Sequence, residues 1–97
     1  MAYANALDSA ALAVPGSVYT VEGDDLQVFV YPTETAAAAD ASRIAPSGGA
    51  IGTTALRWIA PPHFFRRGAM IAIYLGSDRR IREALSAELG GQIAGAD

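Results

Sequence analysis

Ninety-seven residues make one domain, residues 1–97, and a composition that is 52% hydrophobic and 18% charged excludes a disordered tail or linker. The chain has no cysteine and no lysine, which removes disulfide frameworks, zinc–thiolate sites, thiol and Schiff-base catalysis and a lysine-bearing phosphate loop; no apolar run approaches the roughly 18–20 residues of a membrane-spanning helix. A net charge of −3, with a pI near 4.9, argues against a nucleic-acid surface, which needs a basic patch to release counterions.

In chain order, residues 5–14 read as a short helix, with Asn5 as cap, a stripe of Leu7, Ala11, Leu12 and Val14, and Pro15-Gly16 as the stop. Residues 17–22 are β-rich, with Tyr19 and Val21 on one side, and Gly23-Asp24 suits a two-residue hairpin turn with glycine first. Beyond the turn Leu26, Val28 and Val30 alternate with Gln27, Phe29 and Tyr31, as in a strand with one strongly apolar face. Thr33 then caps a helix that runs to about Ala45, with Ala37, Ala41, Ile44 and Ala45 inward and Pro46, Gly48 and Gly49 behind it. The alternation in 53–60 predicts a third strand, residues 61–68 a loop, and residues 69–75 a fourth strand with Ile71, Ile73 and Leu75 on one face and Met70, Ala72 and Tyr74 on the other. Ser77 caps a last helix whose stripe is Ile81, Ala84, Leu85 and Leu89, ended by Gly90-Gly91.

This order, α-ββα-ββα, predicts an α+β two-layer sandwich: a four-stranded antiparallel sheet with helices packed on one face. The opposite face then carries Phe29, Tyr31, Met70 and Tyr74, with Tyr19 beside them, more apolar surface than a solvated sheet face holds. Charge is also unevenly spread. Residues 1–42 carry six acidic and no basic side chains, and residues 43–97 sum to +3, so the halves either neutralise each other inside one fold or attract a second copy.

The stretch His63-Phe64-Phe65-Arg66-Arg67 is the most suggestive for binding. Two adjacent aromatics cannot both point inward from a regular strand, and two guanidiniums offer forks to carboxylate or phosphate. The competing reading has Pro61-Pro62 making a bend and the phenylalanines plugging the core. A lone histidine builds no multi-histidine metal site, the hairpin-tip acids Glu22, Asp24 and Asp25 lack calcium-loop spacing, and the glycines of 48–52 are not followed by a helix. No catalytic residue, metal ligand or cofactor site is read from the residues, so the chain is not assigned as an enzyme.

Residues 14–32, running Val-Pro-Gly-Ser-Val-Tyr-Thr-Val-Glu-Gly-Asp-Asp-Leu-Gln-Val-Phe-Val-Tyr-Pro, form one distinctive stretch. Others are residues 47–54, Trp58-Ile59-Ala60-Pro61-Pro62-His63-Phe64-Phe65-Arg66-Arg67-Gly68, Ile73-Tyr74-Leu75-Gly76 and Leu89-Gly90-Gly91-Gln92-Ile93-Ala94-Gly95. Together they resemble an uncharacterised family of small bacterial proteins, often exported or lipoprotein-like, for which no function is established. The resemblance implies an extracytoplasmic helper or binding domain. Members carry a longer segment ahead of the Val-Pro-Gly; here Met1 to Ala6 has the small residues of a cleavage site without the basic and apolar regions of a signal peptide.

The expected function is a non-enzymatic binding or interaction module. Its contact surface would combine the sheet residues Phe29, Tyr31, Met70 and Tyr74 with the loop His63, Phe64, Phe65, Arg66 and Arg67, and its simplest partner is a second copy in a homodimer. The alternative is a binder of a small apolar or acidic molecule, or an enzyme, with a pocket between the sheet and the N-terminal helix and with Arg57, Arg66 and Tyr74 as polar groups.

Overall fold

The chain is built on a hairpin of two well-alternating strands, and the rest of the sheet grows from its two edges. The computed structural model describes residues 2–7, 12–52, 54–56, 58 and 60–95. In chain order the elements are β1 (Ala2–Leu7), β2 (Gly16–Val21), β3 (Asp24–Val30), α1 (Glu34–Ala41), a short pair β4 (Ala50–Ile51) and β5 (Thr54–Ala55), β6 (Pro62–Arg67), β7 (Met70–Leu75), α2 (Arg79–Leu89) and β8 (Ala94–Gly95). The main sheet has six strands in the order β1-β2-β3-β7-β6-β8, antiparallel at every pairing.

The α+β class agrees with the sequence reading, but the sheet has six strands rather than four, and its helices lie on opposite faces. Ile71, Ile73 and Leu75 of β7 share one core with Phe29, Tyr31, Phe64 and Ala37 of α1. Ala72 and Tyr74 share another with Leu26, Phe65 and Ile81 of α2. The register explains the division: Phe29 lies opposite Ile71, whereas Val28 lies opposite Ala72. Phe29 and Tyr74 therefore belong to opposite faces, not to one.

Two further expectations are overturned. Residues 2–7 form strand β1 against β2, with a bulge near Ala4, and residues 12–14 are bends, so no helix spans 5–7 or 12–14; residues 8–11 of that expected helix lie outside the described residues. The pocket expected beneath an N-terminal helix loses its roof. The segment 61–68, expected as a loop, is strand β6 and its turn, while the strand expected over 53–60 is replaced by the short β4–β5 pair; Thr53, Arg57 and Ile59 are outside the described residues.

Local chemistry accounts for the turns and caps. The β2–β3 turn is centred on Glu22 (φ +49) and Gly23 (φ +87), one residue earlier than expected, and two positive φ values are what a type I′ hairpin turn requires. The β6–β7 turn instead puts Gly68 (φ +57) at its first central position. Thr33 caps α1 through its hydroxyl, which accepts from Ala36 N–H at 3.1 Å, as expected. The cap of α2 is Asp78 rather than Ser77; its Oδ1 accepts from Arg80 N–H at 2.9 Å, and Gly90 (φ +87) closes the helix. On the α1 side the closure is completed by the 12–14 link, where Ala13 N–H donates to Asp40 Oδ2 at 2.8 Å, and by Trp58, which meets Phe64 edge-on at 5.7 Å. At Gly16 any side chain would collide with the Phe29 ring, which lies across it.

Candidate functional site

The residues singled out for a contact surface are placed mainly in the two cores. His63, Phe64 and Phe65 occupy the start of β6 with relative exposures of 1%, 0% and 0%. Because the sheet is covered on both faces at this strand, Phe64 points into the α1-side core and Phe65 into the α2-side core. Phe29, Tyr31 and Tyr74 are equally buried. Arg66 is half-buried and donates to the Gly68 carbonyl at 3.0 Å, and Arg67, exposed, donates to the Glu88 carbonyl at the end of α2. These residues do not converge on one surface. Of the polar groups expected around a small-molecule pocket, Tyr74 is sealed in the core and Arg57 lies outside the described residues.

The buried polar groups hold the layers in place. His63 stacks on Tyr74 (centroids 5.8 Å apart), with Nδ1 2.9 Å from Gln92 Oε1 and Nε2 2.9 Å from the Gly76 carbonyl, so both nitrogens are engaged. Tyr74 donates its hydroxyl proton to Asp24 Oδ2 at 2.6 Å and accepts from Asp78 N–H at 3.2 Å, tying the β2–β3 tip to the start of α2. Burial, with the Asp24 hydrogen bond added, pushes the Tyr74 phenol up to about 12. On the other face Tyr31 donates to Asp40 Oδ2 at 2.8 Å, and burial followed by that hydrogen bond raises its phenol above the ordinary tyrosine range. Burial pulls the Asp40 carboxyl upward, but the donors Ala13 N–H, Tyr31 OH and Arg43 together outweigh it and hold the group below the usual carboxylate range.

What the folded chain leaves open is half of the α2-side face. A helix is about 10 Å wide and strands lie about 4.8 Å apart, so one helix covers roughly two strands. The helix α2 packs over β6 and β7, with Ile81, Leu85 and Leu89 turned inward, and reaches Leu26 near the start of β3; it leaves β1, β2 and the Val28–Val30 end of β3 without a lid. Two adjoining hollows of about 410 and 300 Å³ run along its flank and share Leu26, Leu85 and Glu88. Tyr19, Val28, Met70 and Leu89 line one end of this groove, and Val21, Glu22, Arg80 and Ala84 the other. Beyond it the same face continues through Val30 and Tyr3, which are 66% and 58% exposed, with Tyr3 edge-on against Tyr19 at 5.6 Å.

The hairpin tips that flank the groove carry opposite charge, while its lining adds Arg80 near the acidic tip and Glu88 on α2. The β2–β3 tip carries Glu22, Asp24 and Asp25; the β6–β7 tip carries Arg66 and Arg67. Since Asp25 lies opposite Leu75 and Val30 opposite Met70, these tips sit at opposite ends of the sheet, roughly 20 Å apart at about 3.4 Å per residue.

Sequence reasoning missed the groove because it put Val28 and Val30 on one apolar strand face with Leu26, and of the three only Leu26 is buried. The available signal was arithmetic: β7 is apolar on both faces and so must be sandwiched, and an eleven-residue helix is too narrow to roof the remaining strands. Among the described residues no three His, Asp or Glu side chains gather as a metal-ion site, and no helix is long and apolar enough to cross a membrane. Comparisons with protein-family models, curated proteins and solved structures each find no match to this chain.

Proposed function

We propose that this protein is a non-enzymatic interaction module that works as a two-fold homodimer, joined through the open half of its α2-side sheet face. The observation that carries the reading is the pairing of that apolar face with hairpin tips of opposite charge at its two ends. A two-fold axis lying in the plane of contact and perpendicular to the strands sets the acidic tip of each copy over the basic tip of the other. Tyr19, Val28, Val30, Met70 and Leu89 would then be removed from water by their own counterparts, a gain of about 25 cal/mol per Å² of apolar surface. A patch three strands wide, about 14 Å across at strand spacing and about 20 Å long, is small beside the about 800 Å² per partner of a standard interface, so the dimer is expected to be a weak, concentration-dependent one. The non-enzymatic part of the reading is supported by the one histidine, whose nitrogens are both held inside the core.

Native mass spectrometry and sedimentation velocity on the full chain test this. The expected result is a concentration-dependent species at twice 10.0 kDa. Val30→Asp, at a position already exposed in the monomer, should abolish it without unfolding the chain. Glu22→Arg and Arg67→Glu should each weaken it, and the two together should restore it. A species of single mass at every concentration, or a monomer carrying an added small molecule, would overturn the dimer and favour a ligand in the groove.

A further inference from the structure

The first residues of the chain are fastened to the body at few points, and those points lie on opposite faces of the sheet. Strand β1 stands at the sheet edge, with β2 as its strand partner and a bulge near Ala4. Its aromatic side chain, Tyr3, lies on the open face against Tyr19, and neither core includes a described side chain of β1. The chain then reaches the closed face, where Leu12 is buried in the α1-side core and Val14 packs against it. Among the described residues the 12–15 backbone makes a single hydrogen bond to the body, from Ala13 N–H to Asp40 Oδ2 at 2.8 Å.

The body is tied differently. Strands β3, β7 and β6 pair along their length, both cores are built on them, and Tyr74 joins the β2–β3 tip to the start of α2. A segment held by edge pairing, one buried leucine and one hydrogen bond belongs to the low end of local stability, where sub-global opening occurs. Its two fastenings also depend on each other. With the 12–14 link released, β1 keeps only its pairing to β2 across a bulge, and an edge strand that contributes nothing to a core has little else to retain it.

We infer that β1 and the 12–14 link form a strap that opens and closes as one unit on a folded body, so that the Asp40 latch on the closed face sets the width of the interaction surface on the other. With the strap closed, the open face takes in β1, β2 and the Val28–Val30 end of β3 and includes Tyr3. With the strap open, Tyr3 is withdrawn and the face ends at β2. This regulatory consequence rests on the dimer reading: a partner that buries Tyr3 binds the closed state better than the open one, so dimerisation and strap closure reinforce each other reciprocally.

Native-state hydrogen exchange on the ¹⁵N-labelled full chain, followed against urea and against protein concentration, tests both parts. In dilute protein the Ala13 amide and the β1 amides bonded to β2 should share one opening, with protection at least tenfold below that of Phe29, Ile71 and Ile73 and a weaker urea dependence. Asp40→Asn should lower the protection of Ala13 and of β1 by the same factor; Leu12→Ala, which cuts the strap's other anchor, serves if that variant does not fold. Strap amides that match the body in protection and urea dependence, or β1 amides unchanged while Ala13 exchanges faster, would overturn the strap. At concentrations where sedimentation shows a dimer, protection of the strap should rise by the same factor as that of the body. A rise confined to the body would overturn the coupling. A single mass with no rise anywhere would overturn the dimer reading and the coupling with it, while the strap stands or falls on the dilute measurement.

Discussion

The two faces of the sheet are made by the same strands and end in opposite conditions. On the α1 side Phe29, Phe64, Ile71 and Ile73 are sealed, by Ala37 of α1, by Leu12 and Val14 of the 12–14 link, and by Ile51, Leu56 and Trp58. On the α2 side one amphipathic helix covers β6 and β7 and leaves Tyr3, Tyr19, Val28 and Val30 partly or largely in water. Each face also has its own tyrosine–aspartate pair, Tyr31 with Asp40 on the closed side and Tyr74 with Asp24 on the other. The difference teaches that apolar content in a strand is not by itself core. Where the roof is complete it stabilises the monomer; where the roof stops, the same kind of side chain is available to a partner.

Breaking the closed face should have the largest effect. Phe29→Ala, at a side chain 1% exposed, should cost about 3–5 kcal/mol in urea unfolding, whereas Val30→Ala, its neighbour on the open face, should stay within about 0.5 kcal/mol at dilutions where the chain is monomeric. Equal losses at the two positions would mean that the open face is not open.

Next in size is the latch at Asp40. Asp40→Ala strands Tyr31 OH and Ala13 N–H and should cost about 2–3 kcal/mol, with faster hydrogen exchange in the 12–14 link. Because the folded-state pKa of Asp40 is lowered, its contribution is complete above the ordinary carboxylate pKa and is lost as pH falls through the folded value. Acid unfolding should therefore begin at a higher pH in Tyr31→Phe, which removes one of the three donors. An unchanged acid transition would show that the latch contributes nothing.

The smallest effect belongs to the α2 side. The Tyr74 pKa is raised to about 12, so the stabilisation from its bond to Asp24 is intact below the unfolded tyrosine value near 10 and is lost as pH rises through about 12. Tyr74→Phe should lower stability at neutral pH by about 1 kcal/mol and flatten the alkaline limb of the pH–stability curve. Tyr31, on the closed side, keeps an alkaline dependence of the same sign, and comparing the two variants assigns the limb to a face.

Much of the fold was legible in the residues, and the failures share a cause. The hairpin of β2 and β3, the helix capped by Thr33, the two-sided β7 and the stripe of Ile81, Leu85 and Leu89 all follow from periodicity and capping chemistry. The assumption that hid the rest was a sheet buried on one face. With one buried face, Phe64 beside Phe65 cannot be a strand; with two, it is an ordinary central one, and Pro62 is tolerated because it stands at the strand's first position. The alanine-rich residues 2–7 favour helix locally, but pairing with β2 overrides that preference. The candidate site was less legible. It depends on where α2 stops covering the sheet, which is not a property of sequence spacing.

Dimerisation through the open face is tested most directly by isotope-filtered NOE spectroscopy on a mixture of ¹³C-labelled and unlabelled chains. Contacts between the Tyr19 ring of one copy and the Val28 or Val30 methyls of the other, lost in Val30→Asp, are the expected result. Intermolecular contacts confined to other surfaces, or none at concentrations well into the millimolar range, would contradict it.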